Sequence, residues 1–237
     1  MKLFINPQVP AVSPGDVNYF IYVMLIALVF LFVFMVRKTL PGRAGFVFFV
    51  FLLLAILQRI LIIGWYLLTE EYDPAYSLPL QICRVVVWLV ILQFFIRRDF
   101  LNQIIFYMGL FSYGAFFYPI GIYPPWHMAG WAFFLLHGIN TVFPFAMHFA
   151  VGFIPTFKGL LQAYIVFLIY FFLVYSLNPH FDGNYFFIEQ RPFFHELGAS
   201  AYILVNLAGT FFGFLFVYLI VKGSIRLKYR ASHEEEA

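Results

Sequence analysis

Residues 44–68 read AGFVFFVFLLLAILQRILIIGWYLL, an apolar run of 25 residues interrupted only by Gln58 and Arg59. At 1.5 Å per residue a helix of this length is about 37 Å long, enough to cross a hydrocarbon core of about 30 Å with some tilt. The run is continuously apolar and lacks the alternation of a barrel strand, so it predicts a helix. Similar runs lie at 17–36, 78–96, 101–121, 127–147, 157–177 and 199–221. The chain is 64% hydrophobic and 11% charged, far below the roughly 25% charge of soluble domains. These readings predict an all-α polytopic membrane bundle of about seven helices. Residues 1–16 form an N-terminal segment, 17–221 a single transmembrane domain with an interfacial loop at 178–199, and 222–237 a tail.

Orientation follows from basic residues near the ends of the spans. Arg37, Lys38, Arg43, Arg97, Arg98, Lys158, Lys222, Arg226, Lys228 and Arg230, ten of the 14 lysines and arginines, fall on one side when the spans number seven. The other side carries Lys2, Glu70, Glu71, Asp73, Asp182, Glu189, Arg191 and Glu196. The amino terminus is therefore expected outside and the carboxyl terminus in the cytoplasm. The first 16 residues are polar and turn-rich, unlike a secretory signal peptide. The single cysteine, Cys83, excludes an internal disulfide and a multi-cysteine metal site, and the six histidines form no i, i+4 pair. No cofactor, metal or nucleic-acid partner is expected, and Walker, dinucleotide and GxSxG motifs are missing from the sequence.

None of the seven runs contains Asp or Glu, yet Arg59 and Arg84 lie inside them. Burying an arginine in hydrocarbon costs from about 3 to more than 10 kcal/mol, so each must face protein, water or an anion. On the predicted topology Arg59 lies roughly 14 Å below the outer end of its span, Arg84 about 9 Å and His137 about 15 Å. A site built from them would open outward. Gln81 and Arg84, three residues apart in the third span, are expected to share a helix face, and Cys83 beside them is either an acyl-accepting thiol or a small packed residue. For Arg84 itself the alternative is snorkelling to lipid phosphate.

In the fifth span His137, Asn140 and Thr141 form one stripe, with Pro144 a turn later. The stripe can supply a general base or orienting hydrogen bonds, or it can fix helix packing. Gln58 neighbours Arg59 in the second span, and Arg191 lies in a phenylalanine-rich outer loop that could roof the cavity. Gly209 and Gly213 make a GxxxG pattern, read as a helix-packing seam, within the chain or with a partner.

The stretches GWYLL, LPLQIC (78–83), YMGLFSYGAFFYP (107–119), FFLLHGINTVFP (133–144) and GNYFFIEQRP (183–192) occur in an order that resembles the YwaF-like family of bacterial integral membrane proteins. That family's pattern is a tryptophan near the third span, LPLHLC, a glycine-rich span ending in proline, a His-to-Pro span and an NY-to-KP loop. The resemblance implies a bundle of six or seven helices in a bacterial cytoplasmic membrane and adds Asn184 to the candidate residues. Through it the chain is distantly similar to a eukaryotic transmembrane acyltransferase that remodels ether phospholipids, whose helix reads proline, cysteine, histidine. Here those last two positions are Leu80 and Gln81, which argues against the same thioester chemistry; Cys83 is not an aligned substitute.

The leading expectation is an outward-facing polar cavity for an anionic lipid or lipid-linked substrate. Arg59, Arg84 and Arg191 would bind the anion, while Gln58, Gln81, Asn140, Thr141 and Asn184 add polar contacts. His137 and Cys83 would be the catalytic candidates if the protein is an acyltransferase or lipid hydrolase. The competing classes are a small-solute transporter or capture subunit and an assembly partner in a membrane complex.

Overall fold

The computed structural model describes residues 2–13, 15–118 and 121–234; the side chains of Lys2, Lys228 and Arg230, used in the orientation count, and Pro119 lie outside the described set. The described residues form ten helices: α1 Lys2–Ile5, α2 Val17–Val36, α3 Ala44–Thr69, α4 Pro74–Ser77, α5 Ile82–Ile96, α6 Asp99–Gly109, α7 Phe111–Phe117, α8 Met128–Val151, α9 Phe157–Phe181 and α10 Ala199–Glu234. Six helical stretches are long and apolar enough to cross a membrane; the 15-residue α5 is apolar but shorter. The chain is a multi-pass helical membrane protein.

α8 is the hub. Two-thirds of its spanning window (67%) is buried, against 6% for α10. Its most extensive partner is α3, and α2, α5, α6 and α7 also pack on it. Pro144 lies inside α8 and has no N–H, which frees the carbonyl of Asn140 four residues earlier. Gly109 at the end of α6 faces that carbonyl: a Cβ there would stand 2.8 Å from the Asn140 oxygen. Glycine thus lets α6 approach α8 where the helix ladder is interrupted, and the chain turns into α7 one residue later.

Four spans differ from expectation, three at an end and one by an internal break. The third helix begins at Ile82 rather than residue 78, because Gln81 is extended (φ −66°, ψ 136°) and Leu78 likewise (φ −59°, ψ 152°). Gln81 is therefore the residue before the helix and shares no helical face with Arg84. The fourth span is two helices broken at Leu110. α9 continues to Phe181, into the expected outer loop, and α10 continues past residue 221 into the expected tail.

The two ends of the bundle gather different loops. At one, Gly42 N donates to Ala150 O at 3.2 Å, and Gln103 donates to Ile154 O and accepts from Thr156 N, both at 3.0 Å. This end holds Arg37, Lys38, Arg43, Arg97, Arg98 and Lys158. At the other, the N-terminal segment is docked. The Trp65 indole donates to Ile5 O at 3.1 Å, Tyr123 Oη to Pro7 O at 2.9 Å, and Val12 N to Ile122 O at 2.7 Å.

His127 joins this second end to α8. Its Nδ1 accepts the Ala129 N–H at 3.1 Å as the helix cap, so Nε2 carries the hydrogen, directed at Asn6 O 3.2 Å away. The ring is fully buried and stacks on Tyr123 at 4.2 Å. Burial holds its pKa below the ordinary 6.5. The folded state thus binds fewer protons than the unfolded chain, so stability is full above pH 6.5 and falls as the pH drops towards the folded pKa. In His127→Asn the amide oxygen can replace Nδ1 as cap. The loss of melting temperature between about pH 7.5 and about pH 5 should be smaller in this variant than in the wild type, measured by a thermal melt in detergent.

Candidate functional site

Beneath the end that carries the N-terminal segment lie two cavities with a common wall. The larger, about 1200 Å³ and partly open, is lined by α3, α5, α7, α8, α10 and residues 186–194. The smaller, about 290 Å³, lies between α3, α5 and residues 72–79. Ile62, Tyr66, Ser77 and Arg84 line both. The larger is walled mainly by apolar and aromatic side chains with few polar ones, the composition of a ligand chamber.

Arg84, near the start of α5, points back along the chain. Nη1 donates to Tyr76 O at 2.7 Å and Leu78 O at 3.0 Å, and Nη2 donates to Tyr66 Oη at 3.2 Å. These carbonyls belong to the stretch leading into α5, where no helix ladder can satisfy them. Tyr170 Oη donates to Leu80 O at 2.8 Å, Leu78 N donates to Tyr185 Oη at 3.2 Å, and Gln81 Oε1 accepts from Phe186 N at 3.4 Å. Arg84 is thus first a support for irregular backbone, while its charge faces both cavities.

Arg59 is different. Its Cζ lies 5.3 Å from the centre of the Trp88 ring, within cation–π range, and Nε and Nη2 are enclosed with no hydrogen-bond partner. It lines the smaller cavity. Among the described residues the only ion pair joins His195 and Glu196, so neither Arg59 nor Arg84 meets a carboxylate. Two cations with no anion therefore share one small cavity.

His137, Gln58, Gln81 and Cys83 line the larger chamber. His137 Nδ1 is 2.9 Å from Phe133 O and must donate to it, which leaves Nε2 as an acceptor. No described residue bonds Nε2. Gln58, only 2% exposed, donates to Ala132 O at 3.3 Å, while its Oε1 has no partner.

Other expected site residues serve the frame. Asn140 donates from Nδ2 to Cys83 O and Ser112 Oγ, both at 2.9 Å, tying α8 to α5 and α7. Thr141 donates to His137 O at 3.0 Å within its own helix. Asn184 Oδ1 accepts from Glu189 N and Gln190 N, both at 3.0 Å, and thereby shapes its loop. Arg191 donates to Ile188 O and Leu197 O and lies over the Tyr202 ring. None of these four lines either cavity.

The loop between α9 and α10 does contribute Phe186, Phe187, Phe193 and Phe194 to the chamber wall. Gly209 and Gly213 also face it, and a Cβ at either position would meet no atom within 4 Å. Within this chain their stripe borders open space rather than a packed helix. The docked N-terminal segment and the role of His127 have no signature in the sequence pattern, since a histidine cap lacks the Ser, Thr, Asp or Asn that would reveal it.

The family model named TMEM164 matches residues 12–221, which include every stretch quoted above and all lining residues. The chain belongs to the TMEM164 family. No curated protein and no solved structure matches it. In this TMEM164-family chain the expected arginine–histidine site is two adjoining compartments, with Arg59 in one, His137 in the other and Arg84 in the shared wall.

Removing Arg84 should loosen the stretch before α5. Unpartnered carbonyls cost about 1–3 kcal/mol. Arg84→Leu should therefore lower the melting temperature in detergent, and Arg84→Lys should recover only part of the loss, because an ammonium lacks the planar fork that reaches both carbonyls and Tyr66 together.

Proposed function

We propose that the protein binds an anionic membrane lipid, phosphate against Arg59 and Arg84 and acyl chain in the larger chamber. The observation that carries this reading is Arg59, a guanidinium at membrane depth with two enclosed, unpartnered nitrogens beside a second arginine and no carboxylate. A bound phosphate would offset both charges, and a rotation of the Arg59 side chain would bring its unpartnered nitrogens to that acceptor. The chamber of about 1200 Å³, larger than the roughly 300–1000 Å³ of ordinary small-molecule pockets, suits a lipid tail. In this reading the basic end of the bundle faces the cytoplasm of a bacterium, and the cavities open at the outer face of its cytoplasmic membrane.

A second reading, acyl transfer or lipid hydrolysis, is favoured by the placement of Cys83 and His137 in one chamber. His137 Nε2, free to accept a proton, would act as general base. Turnover of a phospholipid labelled in its acyl chain should then disappear in both Cys83→Ser and His137→Phe; turnover retained in both removes this reading.

The binding reading is tested through thermal stabilisation. Phosphatidylglycerol added to the detergent-solubilised protein should raise its melting temperature more than phosphatidylcholine does. A ligand at about a hundred times its Kd stabilises by about 2.7 kcal/mol. Arg59→Leu should stay folded and lose the difference between the two lipids. A difference unchanged in this variant overturns the proposal.

A further inference from the structure

The two compartments have opposite hydrogen-bonding character. In the smaller cavity the prominent polar groups are the arginine donors. In the larger, two side chains present acceptors. His137 cannot donate into the chamber, because its Nδ1 hydrogen is directed at Phe133 O and Nε2 is left with a lone pair. Gln58 must turn its amide nitrogen to Ala132 O, so Oε1 is left without a donor. That bond is 3.3 Å, beyond the usual N–H···O range, and terminal amide torsions are broad, so a small rotation brings Oε1 to a ligand.

Two acceptors require a donor. An ammonium is disfavoured, because Arg84 lines the same chamber and the nearby carboxylates, Glu71 and Asp73, belong to the connection outside the spans rather than to the depth of Gln58 and His137. A neutral hydroxyl carries no such repulsion. Arg84 lines both cavities, so a phosphate held between Arg59 and Arg84 can present a hydroxyl of the same headgroup to the larger cavity, which Gln58 and His137 line.

We infer that the ligand carries an aliphatic hydroxyl close to its phosphate, and that Gln58 and His137 select for that hydroxyl. This rests on the anion-binding reading and extends it to a ligand class: a phosphodiester lipid with a hydroxylated headgroup. A soluble glycerol phosphate offers the same chemistry without the acyl chain that the apolar chamber accommodates.

Phosphatidylglycerol and phosphatidylmethanol with identical acyl chains separate the hydroxyl from the charge, because both are monoanionic and only the first has headgroup hydroxyls. Their affinities for the full-length protein in mixed micelles are read from thermal shifts. The wild type should prefer phosphatidylglycerol by about tenfold, the scale of one net hydrogen bond. Gln58→Met and His137→Phe, which keep bulk in the wall, should each reduce that preference while retaining phosphatidylmethanol binding. Equal wild-type affinity for the two lipids, or an undiminished preference in both variants, overturns the inference and leaves the anion site standing. Failure of both lipids to bind the wild type removes both. Glycerol 3-phosphate should give no shift; a shift equal to that of phosphatidylglycerol overturns the assignment to a lipid.

Discussion

Hydrocarbon offers no hydrogen bonds, so every peptide group inside a membrane must find its partner in the protein. Helices meet this requirement within their own backbone. The stretch from Leu78 to Gln81 cannot, and much of the site's construction answers that one deficit. Arg84 reaches back to two carbonyls, Tyr170 covers a third, and Tyr185 receives an amide, itself anchored by reciprocal bonds between Asn178 and its backbone. α5 starts late because of this stretch, and Arg84 near its start lines both cavities.

The same economy separates frame from site among the polar residues. Thr141, Asn184 and Arg191 find their partners in the protein itself, so each serves to fix backbone. Asn140 gives its amide hydrogens to the frame, and its Oδ1, though unpartnered, borders neither cavity. Arg59, Gln58 and His137 retain unpaired groups and line the cavities. An unpaired polar group in an apolar setting is unfavourable unless something else completes it, so these three, rather than the larger set of polar residues in the spans, define the candidate site.

Run length and continuous apolarity were sufficient to read the helical bundle, because the bilayer imposes a length on each crossing. The break at Leu110 and the late start of α5 were not readable in the same way. Both depend on tertiary partners: Gly109 meeting a carbonyl released by Pro144, and Arg84 supplying donors that let the chain remain extended. Arg59, Arg84, Gln58, Gln81, Cys83 and His137 were recognisable as polar groups at depth, and all six line a cavity. Their division into two compartments was not. Adjacent residues on a helix diverge by about 100°, so Gln58 and Arg59 face different spaces, a distinction that charge and depth do not record. Arg191 carried the same charge signal but is consumed by its own loop.

α10 gives the chamber a long wall, although within the bundle it rests chiefly on α9, through contacts such as Tyr164 with Phe211 and Tyr164 Oη with Leu207 O. Its glycine face stands away from the opposite wall instead of gripping it. It also follows all the other wall elements in the chain, so during vectorial synthesis the remaining helices can associate around an open trough before this one arrives. On the lipid-binding proposal, a bulky amphiphile need not thread through a finished opening; it can be taken up as the final wall is laid against α9.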